Sequence, residues 1–333
     1  MKKKVLYITL SLVLFLVSCS KEISPSPREG DRQIEISFSV DNFFYGKTST
    51  RATHEGSEAE REIGNLYLFL FDNTGANPFK YYIDNSIFSG GTWNAADKTI
   101  KLDKTQTEAG SRKVYIVANI DAAMKSELAS TNTVSDFENV LKTTQKPWSP
   151  DLGNSLLMFG SKNHNFIDQH ILNSVPLERA VAKIEINVKL RAEFQIVPKV
   201  PGGNLTEYRY RYVNFDKNTY IVKPNDKPDN LINSTNSVWP DLEGWTPWGA
   251  SLNGNPKPDT GAGYTSGNDG MITGLKLITY VNERDNPGAS IEIALQRVDG
   301  GMLPPPEFGP ELYRLPLSDK IQRNYWYQYD IEI

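Results

Sequence analysis

The sequence predicts an all-β protein built from two β-sandwich domains in tandem, with short helices in the connecting loops. Three observations predict this fold. Short runs of alternating apolar and polar residues recur along the chain, separated by Gly, Pro, Asn and Asp. Other runs are almost wholly apolar, which is typical of strands buried on both faces. The predicted strands are too many for one small sandwich, so we expect the 333 residues to contain two domains.

The N-terminus predicts export. Met1 is followed by three lysines, an apolar run over residues 5–17, and Ser18-Cys19. A basic start and a short apolar stretch are typical of a secretory signal peptide, here residues 1–18, and Leu16-Val17-Ser18-Cys19 forms a lipobox. Cys19 is the only cysteine, so we expect it to be acylated and to attach the protein to a membrane. Residues 19–31 are polar and rich in Ser and Pro, which predicts a flexible tether.

The first domain is predicted over residues 32–177. It opens with a strand at 33–40, in which one face carries Ile34, Ile36, Phe38 and Val40. Nearly continuous apolar runs predict further strands at 66–71, 114–120 and 156–160. Between the last two, apolar residues at helical spacing over 121–141 predict one or two short helices, with a coiled loop as the alternative.

The second domain is predicted over residues 178–333, with one long strand over 175–190 near the junction. More strands are predicted at 208–215, 219–222, 274–281, 291–295, 313–317 and 325–333. The last has one face made of Tyr325, Tyr327, Tyr329, Ile331 and Ile333.

A long polar loop over residues 225–270 carries the only aromatic cluster that suggests a ligand. Exposed rings of Trp239, Trp245 and Trp248 could stack on sugars or contact a protein partner. Alternatively, they pack down as a small core that holds the loop to the second domain.

The sequence does not indicate an enzyme. The three histidines are not spaced for metal binding, a second cysteine is lacking, and no Gly-x-Ser-x-Gly elbow or phosphate-binding glycine loop is present. We therefore expect no catalytic residues, no metal and no cofactor. The net charge of −4, with both signs interspersed, also argues against nucleic acid as a partner.

Several segments, taken in order, resemble the fimbrillin-type lipoproteins of type V pili, the major fimbrial subunit family of Bacteroidota-like anaerobes. The matching pieces are the lipobox, Thr50-Arg51-Ala52, Ile63 to Asp72, Val114 to Asn119, Leu157 to Gly160, Arg179 to Ile184, Tyr280 to Glu283, and Arg323 to Tyr327. Together they cover nearly the whole chain.

The resemblance implies two transthyretin-like Greek-key sandwiches in a lipoprotein of the outer membrane that moves into a cell-surface fimbrium. It also implies maturation by a trypsin-like protease of the gingipain type, which would cut after Arg51, with Lys47 as the alternative. The cut would remove the first strand and open a groove lined where Ile34, Ile36, Phe38 and Val40 had been. A strand from another pilin subunit would refill this groove, giving a head-to-tail polymer.

The strand at 325–333 is the candidate donor, or else it completes the second domain. Stalk subunits of this family carry further strands after the Arg-Asn-aromatic segment, whereas this sequence stops at Ile333. We therefore expect a tip or accessory subunit with an adhesive role. The alternative function is a non-polymerising surface lipoprotein that binds glycan or host protein through the aromatic loop.

Overall fold

The computed structural model describes residues 32–46, 53–144, 156–195, 208–232, 245–248, 262–268, 270–295 and 311–333. The predicted signal peptide and tether lie outside these ranges, as do Cys19, Lys47, Arg51 and Trp239. The described part is mostly β with few helices, which confirms the predicted fold class.

In chain order, the strands of the first half are β1 (Gln33–Val40), β2 (Phe43–Tyr45), β3 (Thr53–His54), β4 (Leu66–Phe71), β5 (Phe79–Ile83), β6 (Ile87–Phe88), β7 (Gly91–Asn94), β8 (Thr99–Thr105), β9 (Ser111–Ala118), β10 (Leu141–Thr143), β11 (Met158–Asn165) and β12 (Ile171–Arg179). Those of the second half are β13 (Val181–Lys189), β14 (Arg209–Val213), β15 (Phe215–Asp216), β16 (Asn218–Tyr220), β17 (Leu231–Ile232), β18 (Thr246–Pro247), β19 (Ala262–Ser266), β20 (Ile272–Asn282), β21 (Ser290–Leu295), β22 (Glu311–Pro316) and β23 (Tyr325–Glu332). Helices among the described residues are α1 (Gln106–Ala109), α2 (Ala122–Ser130) and α3 (Val134–Glu138), with 3-10 turns at Ala59–Arg61 and Ala192–Phe194.

The first half forms a nine-stranded sheet in the order β5-β4-β9-β11-β12-β1-β8-β7-β6. Apolar side chains from the two ends of this order meet in one core: Leu68 and Ile116 lie with Ile36 and Ile100. The sheet therefore folds over on itself and encloses the core between two layers, as in a β-sandwich.

The outer face of β4 is covered by the predicted helices. All six residues of β4 are buried, and Phe69 and Phe71 cluster with Leu128 of α2 and Phe137 of α3. Side chains cap both helices. The Asp121 carboxylate accepts a hydrogen bond from a backbone N–H at the start of α2, and Thr133 and Asp136 form a capping box at α3.

The second half contains a six-stranded sheet, β19-β20-β13-β23-β2-β3, and a four-stranded sheet, β18-β14-β21-β22. Inward residues such as Ile184 and Ile186 of β13 share a core with Ile291 and Ile293 of β21. The pairing of β10 with β16 joins the two halves of the chain.

The prediction of one long strand over 175–190 is wrong. β12 ends at Arg179 and β13 begins at Val181, and the two strands lie in different sheets. Between them, the N–H of Ala180 donates to the carbonyl of Leu157, and its carbonyl accepts from the Thr219 hydroxyl. These bonds take Ala180 out of both ladders, so the chain changes sheet at this residue.

The boundaries expected for the first domain also need correction. β2 and β3 lie within the predicted range of 32–177, but they pair at the edge of the six-stranded sheet of the second half. The segment 33–45 therefore contributes β1 to the first sheet and β2 to the second, and we call it the β1–β2 segment.

Candidate functional site

β1 lies inside the first sheet, with a neighbour on each side. It runs parallel to β12, with Phe38 opposite Val175, and antiparallel to β8. Ile34 and Ile36 are fully buried, Phe38 is 4% exposed, and Val40 packs partly buried against the same core. These are the four side chains that the sequence placed on one face. Removing β1 would leave a slot between two strands, and both would lose backbone hydrogen bonds.

β2 continues the same extended path along the second sheet. It pairs parallel to β23, where Phe44 lies opposite Tyr325. Phe43 is fully buried, and Tyr45 stacks on Trp326 with ring centroids 5.5 Å apart. The β1–β2 segment thus contributes buried aromatic surface to the second half as well as a strand to the first.

A cluster of buried polar side chains lies where the β1–β2 segment crosses between the sheets. We call it the junction cluster, and it consists of Glu60, Arg179, Lys183, Tyr280 and Asn324.

Arg179 connects the β1–β2 segment to the chain that follows it. Its Nη1 donates to the carbonyl of Asp41 at 2.6 Å, and its Nε and Nη2 donate to the carbonyls of Glu60 and Glu55 at 2.8 and 3.2 Å. The guanidinium also lies 4.0 Å from the centre of the Phe43 ring. Because residues 41 and 43 precede Arg51 and residues 55 and 60 follow it, Arg179 binds both sides of the predicted cleavage position.

Asn324 adds a second bond at the same crossing. Its Nδ2 donates to the carbonyl of Asn42 at 2.8 Å, and its Oδ1 accepts from Arg179 Nη1 at 3.0 Å. The residue has a φ of 58°, in the left-handed region that Asn tolerates better than most residues. It stands one residue before β23, so it fixes the start of that strand against the β1–β2 segment.

Glu60 forms an ion pair with Lys183, with 2.8 Å between Oε1 and Nζ. The same carboxylate accepts hydrogen bonds from the Tyr280 hydroxyl and from the N–H of Ser57. The ammonium of Lys183 also faces the Trp326 ring at 4.2 Å. A buried charge is tolerated only where such partners satisfy it.

Burial and neighbouring charges shift the pKa values of the ionisable groups in and beside the junction cluster. Burial opposes ionisation of Glu60, but the Lys183 charge and the hydrogen bonds from Lys183, Tyr280 and Ser57 hold its pKa below the usual range. Burial lowers the pKa of Arg179 to about 10, so its guanidinium remains charged at neutral pH. Burial raises the pKa of Asp41 against the opposing charge of Arg179.

β23 is held inside the second sheet. It pairs parallel with β13 from Trp326 to Glu332 and with β2 at its start. Tyr327 and Tyr329 are buried in the core, and Ile333 is 4% exposed. Tyr325 and Ile331 pack partly buried against that core. This arrangement supports the interpretation in which the strand completes the second domain.

The aromatic loop differs from the expectation for a ligand site. Trp248 is 1% exposed, lies in the second core, and donates from Nε1 to the carbonyl of Gly263 at 2.8 Å. For Trp248 the structure supports the interpretation in which the ring packs into the second domain, because a ring in the core offers no face for stacking on a ligand. Trp245 is partly buried, 4.5 Å from the guanidinium of Arg211.

Within the described ranges, no three His, Cys, Asp or Glu side chains lie close enough to hold a metal ion. No helix in the same part of the chain is long and apolar enough to cross a bilayer.

The junction cluster was not predicted from the sequence. In the sequence, Arg179 is one of two adjacent charged residues, Glu178 and Arg179, within an otherwise apolar stretch, and nothing in that pattern indicates its contacts. Its partners come from residues 41, 55, 60 and 324, so no local pattern could have brought them together.

Comparison with known proteins gives concordant results for the two halves. The family model of the C-terminal part of the minor fimbrium tip subunit MfA4 matches residues 180–332, and that of the major fimbrial subunit protein FimA matches residues 34–170. The chain is 55% identical over 334 residues to the minor fimbrium tip subunit MfA4 of Porphyromonas gingivalis, covering 100% of both chains.

Two solved structures have the same fold at low sequence identity. The tip fimbrial protein Mfa3 of Porphyromonas gingivalis, solved with a C-terminal truncation, matches with a TM-score of 0.51 at 14% identity, over 91% of this chain and 95% of the other. A candidate cell adhesion protein from Bacteroides eggerthii matches with a TM-score of 0.52 at 16% identity, over 91% and 86%. The full-length identity to the tip subunit, rather than these structural matches, shows that the chain belongs to the family of the minor fimbrium tip subunit MfA4.

Proposed function

We propose that the chain is a tip or accessory subunit of a cell-surface fimbrium. It reaches the outer membrane as a lipoprotein acylated at Cys19. A trypsin-like protease then cuts after Arg51, with Lys47 as the alternative, and releases the lipid together with the β1–β2 segment. A strand from another fimbrial subunit takes the vacated place.

The position of β1 is the observation that carries this proposal. Burial of side chains such as Ile34, Ile36 and Phe38 contributes roughly 1.5–3 kcal/mol each, and this is lost when the strand leaves. The strand also leaves unpaired backbone groups on both β8 and β12. The cut chain therefore exposes a groove that favours an extended segment with alternating apolar side chains.

The pairing of β23 supports a place at one end of the fibre. A subunit in the middle of a strand-exchange polymer must both accept and donate a strand. β23 is hydrogen-bonded to β13 along its length and contributes Tyr327 and Tyr329 to the core, so donating it would open the second sandwich. The chain accepts a strand more readily than it gives one, as a tip subunit requires.

Proteolysis of the purified precursor tests this function. With a trypsin-like protease, we expect a stable product whose N-terminal sequencing starts at Ala52. Arg51→Gln should resist this cut, whereas Lys47→Gln should be processed like the wild type. Cleavage within β4 or β9, or a resistant wild-type chain, would contradict the proposal.

A further inference from the structure

The junction cluster restricts which segment can replace the one that leaves. This inference rests on the proposed function and deepens it by specifying the chemistry of the strand that enters. The β1–β2 segment shows what an occupant needs, because any segment that replaces it must pack against the same neighbouring residues.

The first part of the groove, where β1 lies, accepts apolar side chains at alternate positions of an extended segment. Ile34, Ile36 and Phe38 enter the core of the first sandwich from β1. Many strands have such a pattern, so this part of the groove alone discriminates only weakly between possible occupants.

The crossing point holds a buried cation that requires a partner. When the β1–β2 segment leaves, Arg179 loses the carbonyl of Asp41 and the ring of Phe43. Its bonds to the carbonyls of Glu55 and Glu60 remain and keep the guanidinium in place. A charged group left partly unsatisfied in an apolar site is unfavourable, so the groove favours an occupant that restores both contacts.

Only one of the two lost contacts depends on side-chain identity. Any extended chain supplies a backbone carbonyl for Arg179, and another for Asn324, which now binds the carbonyl of Asn42 at 2.8 Å. The contact on the flat face of the Arg179 guanidinium, by contrast, requires an aromatic ring. The ring must come five residues after the third apolar position, since Phe43 follows Phe38 by five.

At the position of Gly46, the last part of the groove has no room for a side chain. A Cβ added at Gly46 would lie 2.4 Å from ring atoms of Tyr327. That ring cannot easily move, because its hydroxyl accepts from the N–H of Gln322 at 3.0 Å and donates to the carbonyl of Lys320 at 3.1 Å. An occupant that follows β23 as β2 does therefore needs glycine three residues after the aromatic.

We infer that the groove of the cut chain accepts an extended segment of another fimbrial subunit with apolar residues at positions 1, 3 and 5, an aromatic residue at position 10 and glycine at position 13. The aromatic covers Arg179 and fixes the register across both sandwiches. The occupant comes from a different subunit, because this chain's β23 is engaged in its own sheet.

Peptide uptake by a specifically cut chain tests the inference. A chain with a site for a sequence-specific protease in place of residues 47–52 is cut and mixed with an excess of a fluorescent peptide of residues 32–46. Uptake is followed by anisotropy and by loss of the original segment in mass spectrometry. Peptides carrying Phe43→Ala, Phe43→Tyr and Gly46→Ala are compared with Phe44→Ala, a matched control at a residue that is 36% exposed.

We expect Phe43→Ala and Gly46→Ala to weaken uptake by about tenfold or more, Phe43→Tyr to retain it, and Phe44→Ala to change it by less than about threefold. Equal effects of Phe43→Ala and Phe44→Ala would overturn the inference, as would a cut chain that takes up none of the peptides. The engineered site makes this result independent of Arg51, so failure of natural processing is seen separately by sequencing the unmodified precursor.

Discussion

The carboxylate of Glu60 and the ammonium of Lys183 lie 2.8 Å apart, with their side chains 0% and 5% exposed. Glu60 belongs to the 3-10 turn after the predicted cleavage position, and Lys183 belongs to β13 in the second sheet. This pair joins the chain after the predicted cleavage position to the second sheet, whereas Arg179 binds backbone carbonyls on both sides of that position.

Breaking this ion pair from one side should be strongly destabilising. Glu60→Gln or Lys183→Met alone should lower the free energy of unfolding by about 3–5 kcal/mol, because each leaves an unpaired buried partner. The double variant should lose clearly less than the sum, measured by guanidinium denaturation.

The exposed pair of Lys189 and Glu332, 2.9 Å apart with side chains 74% and 56% exposed, is the matched control. Lys189→Met should cost less than about 1 kcal/mol. Additive effects at the buried pair, or a cost at Lys189 equal to that at Lys183, would contradict the role given to the junction cluster.

Acid should lower the stability of the protein, in part through protonation of Glu60. The folded-state pKa of this residue lies below its ordinary value of 4.5, so its stabilising contribution is complete above pH 4.5 and is lost as the pH falls through the folded pKa. Unfolding midpoints measured from pH 7 to pH 3 should therefore fall more steeply for the wild type than for Glu60→Gln. Asp41, whose pKa is raised, is present in both proteins and does not affect their difference. Parallel pH profiles would exclude Glu60 as a source of the acid sensitivity.

Gly46 should not tolerate even a methyl group. Gly46→Ala places a Cβ against the buried ring of Tyr327 and should destabilise the intact chain by about 1–3 kcal/mol. Gly64→Ala is the control, since a Cβ there meets nothing within 4 Å. Thermal unfolding of both variants checks the expectation, and equal melting temperatures would show that β2 moves freely on β23.

Trp248 should act as a core residue. Trp248→Ala should lower the free energy of unfolding by about 3–5 kcal/mol, because it empties a site in the second core and removes the donor to Gly263. Trp245→Ala should cost less than about 1 kcal/mol, because this ring is only partly buried and lies 4.5 Å from the guanidinium of Arg211. A soluble, stable Trp248→Ala protein would refute this assignment.

Local pattern predicted much of the fold but not its pairing. The alternation in β1, the apolar run of β4 and the helical spacing over 121–141 each correspond to an element of the structure. In contrast, β1 pairs with β12, where Phe38 lies opposite Val175, 137 residues later, and no local periodicity encodes that choice.

Several strands were not predicted, among them the short β2 and β6 and the longer β8 (Thr99–Thr105), which is a neighbour of β1. β2 has only three residues, and β6 has two, so neither shows a readable alternation. β2 in addition belongs to a sheet whose other strands come from the second half of the chain. The candidate groove could thus be predicted through the face of β1, whereas the junction cluster depends on tertiary contacts among distant residues.

Mass spectrometry of the protein recovered from assembled fimbriae most directly tests the central claim, that the β1–β2 segment leaves before assembly. After chymotryptic digestion, we predict peptides that begin at Ala52 and abundant peptides from β23, with none from Gln33–Tyr45. Recovery of Gln33–Tyr45 peptides in amounts equal to those from β23 would show that the segment stays in the fibre, and would contradict the account.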